Sequence, residues 1–370
     1  MKPLNIIIYA QWVLPIINPR SNRTWQLALN LAKMGHRVTV YALLGKYDYS
    51  EYERKYNLKI KNLGKSYLGC LTSDGEKQSI IKRGLAKILG KTFVFPDIEL
   101  KNMVTNSLTS INEDIDILIT IASPHTIHWG AASVLPKKNI KFWIADCGDP
   151  FMLNPFYTPP SRFEKYEREW CEKVNAITIP INEGKAGYYK EYHHKIHIIP
   201  QGFDFSEVTL ADYRVCNVPT FAFSGIVYPK LRDPKNFLKS LLDINAEFKF
   251  IVYSKNIKHF EPYARMLGNK FEFRNYIPRN KLIHELSKMD FLINIKNIGS
   301  VQQPSKLIDY AQANRPILTI SSNYTEDEKK YFLQFLANDY SNRTIINDIN
   351  QYDIKNICKK FIYLYNEYLS

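Results

Sequence analysis

The sequence predicts an α/β protein built from two doubly wound parallel-sheet domains in tandem. Three observations carry that expectation. The chain has 370 residues, more than one ordinary hydrophobic core accommodates. Short runs of β-branched residues alternate with helix-length amphipathic segments along both halves, the pattern of parallel strands covered on both faces. A polar, proline-containing stretch from Ser206 to Pro219 separates the two series.

The first series opens with the apolar run Ile6 to Ala10, of strand length. In Thr24 to Met34, residues Trp25, Leu27, Leu29, Leu31 and Ala32 fill an apolar helical stripe. Gly35 ends that helix and Val38 to Ala42 is the next strand, so the opening is a βαβ unit. The alternation continues with strands at 115–121, 140–145, 176–179 and 196–199, and with helices from about Thr126, Ser161 and Asn182. The second series has strands at 220–223, 248–253, 270–273, 291–295 and 317–320. Its helices fall at 234–243, 259–267, 279–287 and 304–313, and Asp353 to Leu369 closes the chain as a strong helix. The expected domains are 1–204 and 205–352. A pair of such domains places a ligand between the carboxyl ends of its sheets.

Composition narrows the function classes. An apolar fraction of 45% argues against general disorder, and no run approaches the roughly 20 apolar residues of a membrane span. The first residues read as a buried strand rather than a signal peptide, so a cytoplasmic location is expected. The five cysteines (Cys70, Cys147, Cys171, Cys216, Cys358) form no CxxC pair, which fits neither a disulfide framework nor a zinc site. His193 and His197 have the i, i+4 spacing of a zinc-binding helix, but His197 lies in a strand-like run. The net charge of +14 calls for nucleic acid, anionic lipid or phosphorylated small molecules as partners, or is a lysine-rich surface. No nucleic-acid-binding module is recognisable, and neither half has GxGxxG after its first strand, which disfavours a dinucleotide oxidoreductase.

Two segments have the chemistry of anion binding. In Gln303-Pro304-Ser305-Lys306, Pro304 suits the first helical position, and the free amides of the first turn point outward. Lys306 adds a cation and Asp309 a carboxylate on the same face; the alternative is an i, i+3 surface ion pair. The strand-to-helix loop Ser224 to Lys235 brings Gly225, Lys230, Arg232 and Lys235 together, either as a phosphate-binding loop or as a solvated basic one. The single Asp-x-Asp, Asp114-Ile115-Asp116, precedes its strand instead of following it. The metal-free way of holding a diphosphate is therefore expected, with no cofactor and no metal.

These residues, in order, resemble a known family. Ile199-Pro200-Gln201-Gly202-Phe203-Asp204, the 223–235 loop, Tyr276-Ile277-Pro278 and Gln303 to Tyr310 followed by Arg315-Pro316-Ile317-Leu318 are similar to the family-four, GT-B-fold glycosyltransferases of bacterial surface-polysaccharide assembly. In the first domain, Ala122-Ser123-Pro124-His125-Thr126-Ile127-His128 and Asp146-Cys147-Gly148-Asp149-Pro150-Phe151 resemble that family's Ser-Pro-Pro…His and Arg-Asp-Pro-Trp elements. The resemblance implies a retaining, metal-independent transferase acting on a nucleotide-diphosphate sugar. Gly225, Arg232 or Lys235, Pro304, Ser305 and Lys306 would hold the diphosphate, Asp309 the ribose, and Tyr276 and Ile277 the base. Asp149 or Asp146 would sit at the reacting sugar, and residues 353–370 would pack back on the first domain. Val301 stands where the family's first glutamate is expected, which leaves the donor sugar open. The glycine-rich loop after the first strand is replaced by Pro19-Arg20-Ser21-Asn22-Arg23. There Arg20, Asn22 and Arg23, with His128, are candidates for a glycan or lipid-linked acceptor. A sugar-nucleotide 2-epimerase of the same fold and a basic nucleic-acid-binding protein are the alternatives. Residues 76–91 have the look of a basic amphipathic helix on an anionic membrane, or of an ordinary helix with its stripe in the core.

Overall fold

A computed structural model describes every residue except 1, 17, 67–93, 95–96, 138, 156, 230–231 and 298–304. The basic stretch 76–91, and Val301 to Pro304, lie outside the described residues. The chain divides into two compact units, one of residues 1–203 with 352–370, the other of residues 204–351.

Unit one is a parallel sheet of β1 (Asn5–Tyr9), β2 (Arg37–Ala42), β3 (Leu58–Asn62), β4 (Ile115–Ala122), β5 (Ile140–Cys147), β6 (Ala176–Ile179) and β7 (Ile196–Ile198). Its order is β3-β2-β1-β4-β5-β6-β7. The chain reverses winding direction between β1 and β4, so a crevice forms outside their carboxyl ends. One face is covered by α1 (Pro19–Lys33), with α2 (Ser50–Lys55) nearby. The other carries α3 (Ile98–Ser110), α4 (Thr126–Ala132) and α5 (Glu164–Lys173). The C-terminal helix α11 (Ile354–Leu369) buries Ile354, Ile357, Cys358, Phe361 and Tyr365 in the α1-side core of this unit. Its entry is fixed by backbone bonds between Phe203 and residues 352–354, and by the close approach of Gly202, where a Cβ would stand 2.6 Å from Ile354 Cδ1.

Unit two has five strands, β8 (Thr220–Ser224), β9 (Lys249–Ser254), β10 (Phe271–Asn275), β11 (Phe291–Ile295) and β12 (Ile317–Ile320), in the order β10-β9-β8-β11-β12. Around them lie α6 (Lys235–Leu242), α7 (Glu261–Leu267), α8 (Arg279–Leu286), α9 (Ser305–Gln312) and α10 (Glu326–Leu336). The core on one face is aromatic: the Phe221 ring stacks on Phe250 at 4.9 Å and on Phe291 at 4.8 Å, with Phe332 edge-on. Here the switch point lies between β8 and β11.

The alternation predicted from the sequence is present in both halves. Five segments differ. The segment after Asn182 forms two short 3-10 turns, 182–187 and 190–195, because Gly184 and Gly187 weaken a continuous helix. The pair α2–β3 and helices α3 and α10 were not anticipated; α10 is closed by a capping box between Thr325 and Glu328. Among the described residues, no helix is long and apolar enough to cross a membrane.

Candidate active site

In unit two, Gly225, Arg232 and Lys306 come together at the switch point. Gly225 follows β8 directly, and α9 opens in the connection from β11 to β12. Tyr310, one turn after Lys306, is fully buried and its Oη accepts the Ser224 backbone N–H at 2.7 Å. That bond pins α9 beneath the end of β8 and sets the Lys306 side chain across Gly225. A Cβ on Gly225 would stand 2.1 Å from Lys306 Nζ, and its φ of +123° is a conformation that only glycine adopts freely. Lys306 Nζ lies 4.4 Å from the Phe223 ring centroid and is sealed from solvent, with no hydrogen-bond partner among the described residues. Burial, with the positive charge of Arg232 adding to it, pushes the Lys306 amine down to about 7.

Arg232 is held in the same loop by the Ile226 carbonyl, 3.1 Å from Nε, and lies over the Tyr228 ring. Lys235 is exposed at the first turn of α6. Ser305 is the first residue of α9. Asp309 is ion-paired: Arg279 Nε donates to its Oδ1 at 2.6 Å, and Arg279 Nη2 donates to Gln312 at 2.7 Å. Burial raises the Asp309 carboxyl, and Arg279 works against that rise. The i, i+3 pairing of Asp309 with Lys306 left open by the spacing is therefore replaced by a pair with α8. Arg279 was missed in the sequence. Its signal was a cation at the first position of a helix, where the helix dipole disfavours positive charge. Nearby, Tyr253, Arg274, Asn275, Ile277, Asn280 and neighbouring residues line a cavity of about 620 Å³ at the carboxyl edge of β9 and β10. Tyr276 stands 56% exposed on the same loop, with Lys255 Nζ 5.0 Å from its ring centroid.

In unit one the carboxyl ends of β4 and β5 hold a mixed group. The N-cap Asn18 accepts the Ser21 N–H at 2.8 Å and starts α1 there. From its first turn the Arg20 side chain, a quarter exposed, reaches Asp146 at 3.6 Å and covers Gly148. Asn22 is exposed, and so is Asp149 just past β5.

Three expectations for unit one are corrected by burial. Asp146 still belongs to β5 and is 2% exposed. Arg23 grips it with two bonds, at 2.8 and 3.1 Å, and Thr178 donates to it at 2.7 Å. It is a structural anion, not a group open to a sugar. Arg23, also 2% exposed, spends its remaining donors on the carbonyls of Ile199 and Pro200, so no acceptor reaches it. His128 is fully buried, bonded to Thr120 Oγ1 at 2.7 Å and 3.4 Å from Cys147 Sγ.

His125, His128 and Cys147 each bring a ligand atom to within 4.8 Å of the others. Burial lowers both imidazoles, His125 to about 4, and raises the thiol. The charge of Arg20 reaches both His125 and Cys147 and opposes a cation there. The trio forms a neutral packed network beneath Trp170, in which His125 Nε2 bonds the Asp149 carbonyl at 3.0 Å. The Asp114-x-Asp116 pair is also structural: Asp116 accepts from the Asn5 N–H and from Lys141.

No protein-family profile and no curated protein matches the sequence. Solved structures do match it. A glycosyltransferase from Rickettsia africae is similar over 100% of both chains, with a TM-score of 0.65 at 12% identity. The E. coli trehalose-6-phosphate protein bound with UDP-2-fluoro glucose matches at 0.67 and 10% identity, covering 98% of this chain and 99% of its own. Anabaena HepE in complex with UDP-glucose matches at 0.57 and 9% identity, covering 98% of this chain and 100% of its own. The fold is the GT-B fold. A GT-B protein has two parallel-sheet α/β units, and both are complete here, the seven-stranded one and the five-stranded one. The sequence resemblance and the fold therefore agree.

Proposed function

We propose that the chain is a retaining, metal-independent glycosyltransferase. It moves a sugar from a nucleotide-diphosphate donor to a glycan or lipid-linked acceptor in surface-polysaccharide synthesis. One observation carries the proposal: the buried Lys306 amine beside Gly225, with no partner among the described residues, at the switch point of unit two, where α9 starts. A leaving diphosphate needs positive charge that is already in place, and a low-dielectric site makes that charge worth more than it is in water. Lys306, Arg232 and the first amides of α9 supply it without a metal. Asp309, with Oδ1 taken by Arg279, offers its second oxygen to ribose hydroxyls. The 620 Å³ cavity at Ile277 has room for a base. In unit one, Asp149 is the candidate for the reacting sugar and Arg20 for an anionic acceptor. Solved neighbours that hold UDP, UDP-glucose or UDP-2-fluoro glucose favour a uridine donor.

The test is incubation with UDP-, GDP- and dTDP-sugars in the presence of chelator, followed by NMR of the anomeric proton in the product. Transfer without metal and with the donor's anomeric configuration kept is the expected result. Inversion, or strict dependence on added Mg²⁺ or Mn²⁺, rejects the retaining or the metal-free part respectively. Conversion of the nucleotide sugar to its 2-epimer without transfer identifies an epimerase instead.

A further inference from the structure

Resting on the donor site proposed above, we infer that the empty site holds Lys306 as a neutral amine, and that donor binding is coupled to uptake of one proton at Lys306 Nζ. The geometry supplies the reason. Nζ is closed off between the Phe223 ring and the backbone of Gly225, and no acceptor among the described residues reaches it. An ammonium there loses its hydration and gains no hydrogen bond in return. Its neighbours compensate it only in part, through Asp309. Arg232, from the β8–α6 loop, is a second cation. Tyr310, on its own helix, is buried and donates toward no anion. Asp309 lies one turn along and is already engaged by Arg279 from α8. The Lys306 amine accordingly stands near 7 in the empty site.

A diphosphate reverses each of these terms. It brings two negative charges and acceptor oxygens to Nζ. Its own ionisations, when it is esterified to a sugar, lie far below neutrality. The bound state therefore holds an ammonium, and above pH 7 the proton comes from solvent. The balance is one neutral enzyme amine plus one proton plus one donor dianion, giving one ammonium–diphosphate pair. Donor affinity then falls as pH rises. From pH 6 to pH 8 the apparent dissociation constant should rise about tenfold, as the share of empty enzyme with Lys306 already protonated drops. Asp309 would give the opposite sign. If it were the titrating group, binding to ribose hydroxyls would favour its ionised form and release a proton.

The experiment is isothermal titration of the full chain with UDP-glucose, GDP-mannose and dTDP-glucose at pH 6 and pH 8, each in several buffers of different ionisation enthalpy. The slope of heat against buffer enthalpy counts protons exchanged. Uptake of about 0.9 proton at pH 8 and about 0.1 at pH 6 is expected for the donor that binds. Lys306→Met and Lys306→Arg should bind with no proton uptake at pH 8, and circular dichroism establishes that both are folded. Tight wild-type binding with no proton exchange at pH 8, or with release, overturns the inference and leaves the donor site standing. Binding of none of the three sugars at either pH overturns the donor site itself.

Discussion

Replacing Asp146 with asparagine keeps the shape of the side chain and removes its charge. Asp146 and Arg23 are each 2% exposed and share two hydrogen bonds, at 2.8 and 3.1 Å. Through Arg23 the pair also ties α1 to the carbonyls of residues 199 and 200 and to the Phe361 ring of α11. Breaking such a pair from one side strands a buried guanidinium, which costs about 3–5 kcal/mol. For a unit of this length each kcal/mol moves the melting temperature by about 2–4 °C, so Asp146→Asn should lower it by roughly 6–20 °C. The acid limb follows from the carboxyl's own ionisation. Burial would raise its pKa, but Arg23, Arg20 and Thr178 outweigh that and hold it below the ordinary value. Its stabilisation is therefore present above the ordinary carboxylate pKa and is lost as pH falls through the lower folded value. The gap between wild type and variant should be full at pH 7 and close as pH falls below about 4. Differential scanning calorimetry reads both effects. The double variant Arg23→Met/Asp146→Leu should recover much of the loss, because it leaves no charge unpaired. An Asp146→Asn protein with unchanged melting temperature and abolished turnover would show that Asp146 acts at the sugar and refute the structural assignment.

Lys306→Met should raise the thermal stability of the ligand-free protein at pH 7 while weakening donor binding, because the amine is buried with no partner among the described residues. A thermal-shift assay with and without nucleotide sugar separates the two effects. Arg279→Met should raise the donor KM by about tenfold, with a smaller change in kcat, by freeing Asp309 from its fixed position. Arg279→Lys should recover only part of that loss. His128→Phe should lower the melting temperature by disturbing the Thr120–Trp143–Cys147 network and leave the acceptor KM unchanged; a selective rise in acceptor KM would return His128 to the acceptor site.

Much of the fold was legible because buried parallel strands leave continuous β-branched runs, as in Ile6 to Ile8 and Ile115 to Ile121, that no surface segment imitates. Helix α9 and the Gly225 loop were also legible, since proline, glycine and clustered cations mark where chain direction and charge must meet an anion. What the sequence could not tell is which polar residues face inward. Asp146 and Asp149 stand three apart in one motif, yet the first is still within β5 and the second lies past its end, so one is buried and the other exposed. Arg20 and Arg23 divide in the same way across one helical turn. The contact between Lys306 and Gly225 spans 81 positions, and that between Arg279 and Asp309 depends on how α8 packs on α9. Neither leaves a local trace. The shift of Lys306 toward neutrality is likewise a product of burial, invisible in a string that shows only another lysine among many.

Photolabelling with 5-azido-UDP-glucose, followed by peptide mapping, tests the central claim most directly. The base of the donor is placed by this account against the loop after β10, and its diphosphate against Lys306 and Gly225. The adduct should map between Asn275 and Lys281, be suppressed by excess UDP-glucose, and be much weaker in Lys306→Met. A specific, competable adduct confined to residues 1–203 would place the donor in the other unit and contradict the account.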